Sequence, residues 1–316
     1  MSSPRVVALG GGHGLFATLT SLRSLTSQIT AIVTVADNGG SSGRLREEFP
    51  IFPPGDLRMA LAALCSDDEW GRSWAEIMQY RFTSDGPLDG HAVGNLLLAA
   101  LWDRDEDPVE GLDRVGALLK VVGRVLPMAS QPLDIQATFV EQGAKRTVRG
   151  QKEVATAPGR FESLQLIPDN PKARPEALAA IAEADWITMG PGSWISSVLP
   201  HLLVPEQLTS LIQSPAKKIL LLNLDDSESG EFSGRSALDH IAAIQKLAPQ
   251  LTFDFVVADS SIVLDPQAGQ LLRDKVSTQG GELIVQDLRL ESSGNHHDTK
   301  KLSSLFAHIA EKTLVG

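Results

Sequence analysis

The first residues that could do chemistry are four glycines and a histidine in the run Gly10-Gly-Gly-His-Gly14. The run follows an apolar stretch, Val6–Leu9, and precedes a helical pattern that begins at Leu15. Such a loop exposes backbone N–H groups beside the positive end of a helix, which is a common way to hold a phosphate or pyrophosphate. We therefore interpret Gly10, Gly11, Gly12 and Gly14 as ligand-binding residues. The alternative is a tight turn between a strand and a helix.

A second candidate segment follows the next predicted strand. Asp37 lies near the position where a Rossmann site places a carboxylate for a ribose hydroxyl. The residues after it offer backbone donors, hydroxyl groups and a guanidinium suited to a bidentate phosphate contact. The candidate ligand-binding residues of this segment are Asp37, Asn38, Gly39, Gly40, Ser41, Ser42 and Arg44. The alternative is a solvated loop that caps a helix.

A third candidate segment is Pro53-Pro-Gly-Asp-Leu-Arg58. Its prolines stiffen the approach, Gly55 permits a turn, and Asp56 is expected to cap the helix that carries Arg58. Under the functional interpretation, Asp56 instead binds a magnesium ion or a ligand hydroxyl, and Arg58 binds a phosphate. The pattern leaves both interpretations open.

Two later segments have a similar character. His91-Ala-Val-Gly-Asn95 opens an apolar helix and could present His91 and the Asn95 amide to a ligand. Alternatively, Gly94 is a close-packing point and Asn95 is a satisfied buried amide. Gly190-Pro-Gly-Ser193 follows a later strand and resembles the first loop, which makes Gly190, Gly192 and Ser193 candidates for the same ligand.

These segments interrupt an alternation of strands and helices. Strands are predicted at Val6–Leu9, Ile29–Val35, Trp186–Met189, Lys218–Asn223 and Phe253–Val257, and a last helix at about Lys300–Glu311 with Asp298 or Thr299 as its N-cap. The mostly helical pattern from Leu57 to Lys120 indicates a helical insertion, and Arg124–Leu166 indicates a small excursion of antiparallel strands. We predict a single α/β domain over residues 1–316, Rossmann-like, with a mainly parallel sheet flanked by helices.

The composition excludes several classes of protein. A chain of 316 residues, 42% hydrophobic and 21% charged, can bury the core of one large α/β domain. Its formal net charge of -11 disfavours nucleic acid as a partner. The single cysteine, Cys65, excludes an intramolecular disulfide and fits a cytoplasmic location. We expect no signal peptide and no membrane span, because no segment approaches ~18–20 apolar residues.

Taken together, these motifs resemble the gluconeogenesis-factor family typified by YvcK, which is related to the 2-phospho-L-lactate transferases typified by CofD. The resemblance rests on Leu9–Leu15, on Thr34–Arg46 with Pro54–Arg58, on Gly90–Asn95, and on Gly190–Ser193 with Leu202–Pro205. Weaker support comes from Asn223, Gly230–Gly234, Asp239–His240 and His297–Asp298. The resemblance implies a Rossmann-like fold, UDP-sugar binding, and a role in growth and cell-shape maintenance on gluconeogenic carbon sources.

Two positions depart from that family pattern. Asn38 stands where a second aspartate is expected, and the loop after Asn223 is altered. The missing carboxylate argues against metal-dependent chemistry. We therefore expect a regulator that binds a nucleotide-sugar, without assigned catalytic residues, and we leave open a regulatory protein partner and a homo-oligomer.

Two other functions remain as alternatives. A phospholactate-type transferase would move a phospho-acyl group from a nucleoside diphosphate carrier to an acceptor, with Mg²⁺ held by Asp37 or Asp56. A nicotinamide-dependent oxidoreductase is disfavoured, because Leu15 stands where the third glycine of G-x-G-x-x-G is expected.

Overall fold

The chain alternates between strands and helices, and the computed structural model describes residues 3–105, 107–224, 236–291 and 293–315. The strands are β1 (Val6–Gly10), β2 (Ile29–Val33), β3 (Arg124–Pro127), β4 (Asp134–Glu141), β5 (Ala144–Arg149), β6 (Arg160–Ile167), β7 (Trp186–Met189), β8 (Lys217–Leu221), β9 (Phe255–Asp259), β10 (Glu282–Gln286), β11 (Arg289–Leu290) and β12 (Ser293–His297). The helices are α1 (Gly12–Leu22), α2 (Gly40–Glu48), α3 (Pro54–Leu64), α4 (Glu69–Gln79), α5 (Val93–Arg104), α6 (Pro108–Leu119), α7 (Gln151–Thr156), α8 (Pro175–Glu183), α9 (Pro205–Gln213), α10 (Ala237–Leu247), α11 (Pro266–Thr278) and α12 (Thr299–Val315).

A seven-stranded sheet forms the centre of the fold, in the order β10-β9-β8-β7-β1-β2-β3. All neighbouring strands in it are parallel. Every residue of β1 and of β9 is buried. Strands covered by helices on both faces have no solvent side, which explains their continuous apolar sequence. The predicted α/β class, with a mainly parallel sheet flanked by helices, is confirmed.

The strand order reverses between β1 and β7. From β1 the chain builds β2 and β3 on one side of the sheet, and the later strands β7 to β10 lie on the other. β1 and β7 pair directly, from Val6 with Trp186 to Leu9 with Met189. In an open α/β sheet such a reversal leaves a crevice at the carboxyl ends of the two strands, where ligands bind. The loops that follow β1 and β7 therefore flank this crevice.

The expectation that Arg124–Leu166 forms only small antiparallel strands is wrong at its start. β3 pairs in parallel with β2, from Thr30 with Arg124 to Val33 with Pro127, and it ends the central sheet. The antiparallel excursion consists of β5, β4 and β6, paired in that order. In β4 every second residue near its centre is more deeply buried, as expected for a sheet with one covered face.

The helical elements agree with the prediction in part. The insertion between Leu57 and Lys120 contains α3, α4, α5 and α6. Asp298 begins α12, because its Oδ1 accepts hydrogen bonds from the N–H groups of Lys300 at 2.7 Å and Lys301 at 3.1 Å. The sequence did not predict α11 or β10. Within the described ranges, no helix has the length and apolar character needed to cross a bilayer.

Candidate functional site

The glycine loops that follow β1 and β7 are packed against each other. A Cβ on Gly14 would overlap the backbone carbonyl of Pro191, and a Cβ on Gly192 would lie 3.4 Å from the carbonyl oxygen of Gly11. Gly190 and Gly192 have φ values of 76° and 141°, a backbone conformation that residues other than glycine rarely adopt. These contacts require glycine, and they place both loops at the point where the strand order reverses.

Polar side chains hold the loop after β7 in this position. The Asn223 Oδ1 accepts from the Gly192 N–H at 2.8 Å, and its Nδ2 donates to the Gly192 carbonyl at 2.9 Å. Ser193 caps a π-helical turn at Trp194–Val198, because its Oγ accepts from the Ser196 N–H at 3.1 Å. Asn223 and Ser193 therefore act here by fixing the backbone of the loop. The altered segment after Asn223 lies mostly outside the described residues.

Two helices begin with glycines at the same edge of the sheet. α1 begins at Gly12 and α2 at Gly40, and their N-cap residues are Gly11 and Gly39. A glycine N-cap has no side chain that could satisfy the first N–H groups of its helix. Gly40 has a φ of 49° and open space where a Cβ would project. The two helix N-termini are thus suited to accept an anion.

Two carboxyl groups lie close to these loops, the half-buried Asp37 and the buried Asp56. The Asp37 Oδ1 accepts from the Gly39 N–H at 2.7 Å, and burial raises the pKa of Asp37. Burial, together with the nearby charge of Asp37, raises the pKa of Asp56 to about 7. Among the described residues, the Asp56 Oδ2 has no hydrogen-bond partner. A buried carboxyl group with a free oxygen and a pKa near neutrality is characteristic of functional sites.

Asp56 does not cap its helix, so that expectation is wrong. α3 begins at Pro54, with Pro53 at the N-cap, and Asp56 lies within the first turn. Its carboxylate instead accepts a hydrogen bond from the Gly12 N–H. Its Oδ2 occupies the space that a Cβ on Gly11 would need. Asp56 therefore joins the third segment to the first loop, a contact between elements that local sequence does not reveal.

A buried chain of hydrogen bonds connects three of the predicted segments. The Arg58 Nε donates to the Asn95 Oδ1 at 2.8 Å, the Asn95 Nδ2 donates to the Ser41 Oγ at 3.0 Å, and the Ser41 Oγ lies 3.0 Å from the His91 Nδ1. Asn95 is thus a satisfied buried amide, which was the alternative to its presentation to a ligand. A Cβ on Gly94 would lie 2.8 Å from the Arg58 Cγ, so Gly94 is also a close-packing point.

The geometry of these hydrogen bonds determines which groups in them carry the protons. Because the Asn95 amide donates to the Ser41 hydroxyl, that hydroxyl is free to donate to His91 Nδ1. Burial lowers the pKa of His91, and the charges of Arg44 and Arg81 lower it further. Burial also lowers the pKa of Arg58, to about 10, so this guanidinium stays charged at neutral pH. The charge of Arg58 acts on both carboxyl groups and lowers the pKa of each, against the effect of burial.

Other predicted residues have roles within the scaffold. The Ser42 Oγ accepts from the Gly55 N–H at 3.0 Å and joins the second and third segments. The Arg44 guanidinium donates to the carbonyl oxygens of Pro87 at 3.2 Å and Asp89 at 2.7 Å, so it holds the polar turn before His91 against α2. A direct phosphate contact by Arg44 stays a prediction.

Asn38 connects the second loop to α7. Its Oδ1 accepts from the N–H groups of Gln151 at 2.8 Å and Lys152 at 3.2 Å, and its Nδ2 donates to the Glu153 Oε2 at 3.1 Å. An amide satisfies both requirements, since it accepts on one side and donates on the other. The aspartate that the family pattern favours could not donate to Glu153. This departure therefore has a local structural reason.

Sequence analysis missed two histidines at the first loop. The ring of His13, in the first turn of α1, lies 6.1 Å from the ring of His296 on β12, at an interplanar angle of 83°. Both side chains are exposed. His13 lies inside the motif Gly10–Gly14, so its position could have suggested a role. His296 gave no such signal, because its approach depends on tertiary structure.

The site residues separate into two groups. The loops and carboxyl groups at the carboxyl edge comprise Gly10, Gly11, Gly12, Gly14, Asp37, Gly39, Gly40, Asp56, Gly190, Gly192 and Ser193. The supporting side chains comprise Asn38, Ser41, Ser42, Arg44, Arg58, His91 and Asn95. This arrangement defines the class of the protein as a Rossmann-like α/β protein with paired glycine loops at the switch point of its sheet.

Comparison with known proteins makes this class more specific. The family described as 2-phospho-L-lactate transferase CofD matches residues 6–296. A Mycobacterium leprae protein that carries the provisional name gluconeogenesis factor is 44% identical over 308 residues, which cover 96% of this chain and 86% of that protein. The gluconeogenesis factor of Listeria monocytogenes is 37% identical over 321 residues, which cover 99% and 98% of the two chains.

A solved structure agrees with these sequence relatives. The crystal structure of a UPF0052-family protein from Bacillus halodurans superposes with a TM-score of 0.83 at 33% identity, over 97% of this chain and 99% of that one. The chain therefore belongs to the CofD family, and its relatives there are gluconeogenesis factors.

Proposed function

We propose that this protein binds a nucleoside diphosphate sugar, such as a UDP-sugar, across the glycine loops and acts as a regulator. One observation carries the proposal: α1 and α2 both begin at glycines on the same edge of the sheet, with φ values of 57° at Gly12 and 49° at Gly40. Two helix N-termini at one edge of the sheet offer N–H donors and partial positive charge for a phosphate of the ligand.

The groups around these N-termini fit the same ligand. Asp37 follows β2, where Rossmann sites place a carboxylate for the ribose hydroxyls. The raised pKa of Asp56 leaves that group partly uncharged near neutral pH, which reduces its repulsion of a diphosphate. The buried charge of Arg58 adds attraction. The local charge balance thus favours an anionic ligand although the whole chain carries a formal net charge of -11.

A regulatory role fits the names of the relatives. The relatives carry the name gluconeogenesis factor, and we extend to this protein a role in growth on gluconeogenic carbon sources and in maintaining cell shape. A regulator requires that ligand binding shift the population of one conformation or one complex. It requires no positioned nucleophile. In this role the protein reports the level of a nucleotide-sugar to a partner.

A transferase is the second candidate, and the pair of carboxyl groups is the observation that favours it. Asp37 and Asp56 could hold Mg²⁺ together with the phosphates of the ligand, a common arrangement for this ion. The ligand would have to complete the site, because the described residues contain no group of three or more His, Cys, Asp or Glu suited to a metal. Bound Mg²⁺ would neutralise charge on the leaving phosphate.

Calorimetry on two variants of Gly12 tests the binding proposal. Asparagine and aspartate both tolerate the left-handed conformation better than other side chains, so Gly12→Asn is a matched control for Gly12→Asp. Both variants carry the same steric cost, and only Gly12→Asp places a charge where the phosphates approach. We expect UDP-N-acetylglucosamine or UDP-glucose to bind the wild type, and Gly12→Asp to weaken binding at least about tenfold more than Gly12→Asn.

Two results would decide against the proposal. If neither UDP-sugar binds the wild type, or if both variants bind as the wild type does, the ligand does not lie on these loops. A titration with Mg²⁺ separates regulator from transferase. If the protein is a regulator, Mg²⁺ should change its affinity for the UDP-sugar only slightly. A large, saturable gain in affinity that disappears in Asp37→Asn would favour the transferase.

A further inference from the structure

Two histidines from distant parts of the chain meet at the mouth of the proposed site. His13 is the second residue of α1, and His296 belongs to the hairpin of β11 and β12. Their ring centroids are 6.1 Å apart in an edge-to-face arrangement. Both side chains are exposed, so both rings are accessible to a ligand in solvent.

The hairpin that carries His296 is anchored to the sheet. Asp259, at the end of β9, is 1% exposed, and its Oδ2 accepts from the Leu288 N–H at 2.7 Å. The Arg289 side chain donates to Asp259 at 3.2 Å and to the Ser261 Oγ at 2.9 Å. These bonds fix the start of the hairpin and limit the movement of His296 relative to the first loop.

The surroundings of His13 disfavour the charged form of its ring. Burial lowers the pKa of His13, and the neighbouring His296 and Arg58 lower it further. The buried Asp56 accepts from the Gly12 N–H, and its Oδ2, which has no hydrogen-bond partner among the described residues, lies beside Gly11 in the same loop. An anion placed beside these rings would offset the influences of His296 and Arg58 that lower this pKa.

We propose that His13 and His296 form a clamp for the second phosphate of the nucleoside diphosphate, so that the hairpin allows the protein to distinguish a diphosphate from a monophosphate. This inference rests on the proposed function. In it, the N–H groups of α1 and α2 hold the first phosphate, and an imidazole N–H from each histidine donates to the second. Such a contact with a charged oxygen is stronger than one between neutral groups.

Calorimetry with UDP and UMP tests the clamp. The wild type should bind UDP more tightly than UMP. His13→Gln and His296→Gln should each reduce that preference by about tenfold, while UMP affinity stays within about twofold of the wild type. His308→Gln is the matched control, because His308 is an exposed histidine in the second half of α12, outside the proposed clamp, and should keep the full preference. The double variant should lose less than the sum of the two single losses, because both rings serve one phosphate.

The outcomes separate this inference from the function on which it rests. If UDP binds the wild type and His296→Gln keeps the preference for UDP, the clamp is wrong and the loop site stands. If His13→Gln and His296→Gln lose UMP affinity as strongly as UDP affinity, the histidines hold the first phosphate and the clamp is again wrong. If neither nucleotide binds the wild type, the loop site itself is wrong.

Discussion

Asp56 is a carboxyl group whose charged form the fold disfavours. Its pKa rises from 3.8 to about 7, mainly because it is buried. Between pH 3.8 and about 7, the folded protein therefore keeps a proton that the unfolded chain has already released. This group consequently stabilises the protein at low pH. That contribution is lost as the pH rises toward 7. A ligand site can retain such a destabilising group, because the group is kept for its role in binding and not for stability.

Asp56→Asn should remove this pH dependence. We expect the wild type to lose roughly 2 to 3 kcal/mol of stability between pH 5 and pH 8 through this residue, and the variant to lose much less. Thermal melts of both proteins without ligand, at the two pH values, measure the difference. Asp85→Asn, at an exposed aspartate, serves as the control and should behave as the wild type. An unchanged pH dependence in Asp56→Asn would contradict the prediction.

At the scale of single residues, the sequence indicated the important positions better than their roles. Gly14 and Gly192 were candidates because glycine loops follow strands, and the structure shows why no side chain fits at Gly14. Asp56 was expected to cap α3, yet it contacts the first loop. Its partner comes from another part of the chain, and one sequence contains no measure of that approach.

Asn38 and α7 illustrate how one side chain joins two elements. The amide accepts from two N–H groups at the start of α7 and donates to Glu153. An aspartate at this position would keep the acceptor and gain about 0.3–1 kcal/mol from the helix dipole. It would also stand beside a second carboxylate, and at about 3 Å that repulsion exceeds 1 kcal/mol even in water. The repulsion therefore dominates.

Asn38→Asp should loosen α7, and Glu153→Gln in the same chain should restore it. We expect a loss of about 1 kcal/mol in the single variant, together with faster hydrogen exchange at the amides of α7, because the helix loses its attachment to the second loop. In the double variant the glutamine amide can donate to the new carboxylate. Exchange rates as fast in the double as in the single variant would argue against this explanation.

The elements that the sequence predicted best are the buried strands. β1, β7 and β9 are continuous apolar runs followed by turn residues, and such runs have few alternative structures. β3 has four residues, too few to show whether it belongs to a parallel or an antiparallel sheet. β10 is mostly half-exposed and lies at the sheet edge, and its apolar run is only three residues long, between Glu282 and Gln286.

The whole molecule resembles a dinucleotide-binding protein in strand order, but its first loop differs. Leu15 occupies the position of the third glycine, is 1% exposed, and contacts Gly10. That glycine normally permits close packing of helix and strand around a dinucleotide. Here the packing space is filled by the leucine side chain. The fold alone therefore does not make NAD a ligand.

NAD and NADP at millimolar concentration should leave the melting temperature unchanged. A UDP-sugar at about 100 times its dissociation constant should add roughly 2.7 kcal/mol of stability, which is visible in a thermal melt. Differential scanning fluorimetry with the ligands in parallel makes this comparison. A clear upward shift with NAD would return the oxidoreductase to consideration.

The pairing of β1 with β7 also has a consequence for synthesis on the ribosome. β1 is made long before β7, one of its two neighbours, which begins only at Trp186. At about 5–20 residues per second, this central strand waits roughly 10 to 40 seconds with one edge uncovered. An apolar strand with an open edge is prone to wrong pairing. The nascent chain is therefore expected to depend on a chaperone to cover this edge until β7 has been made.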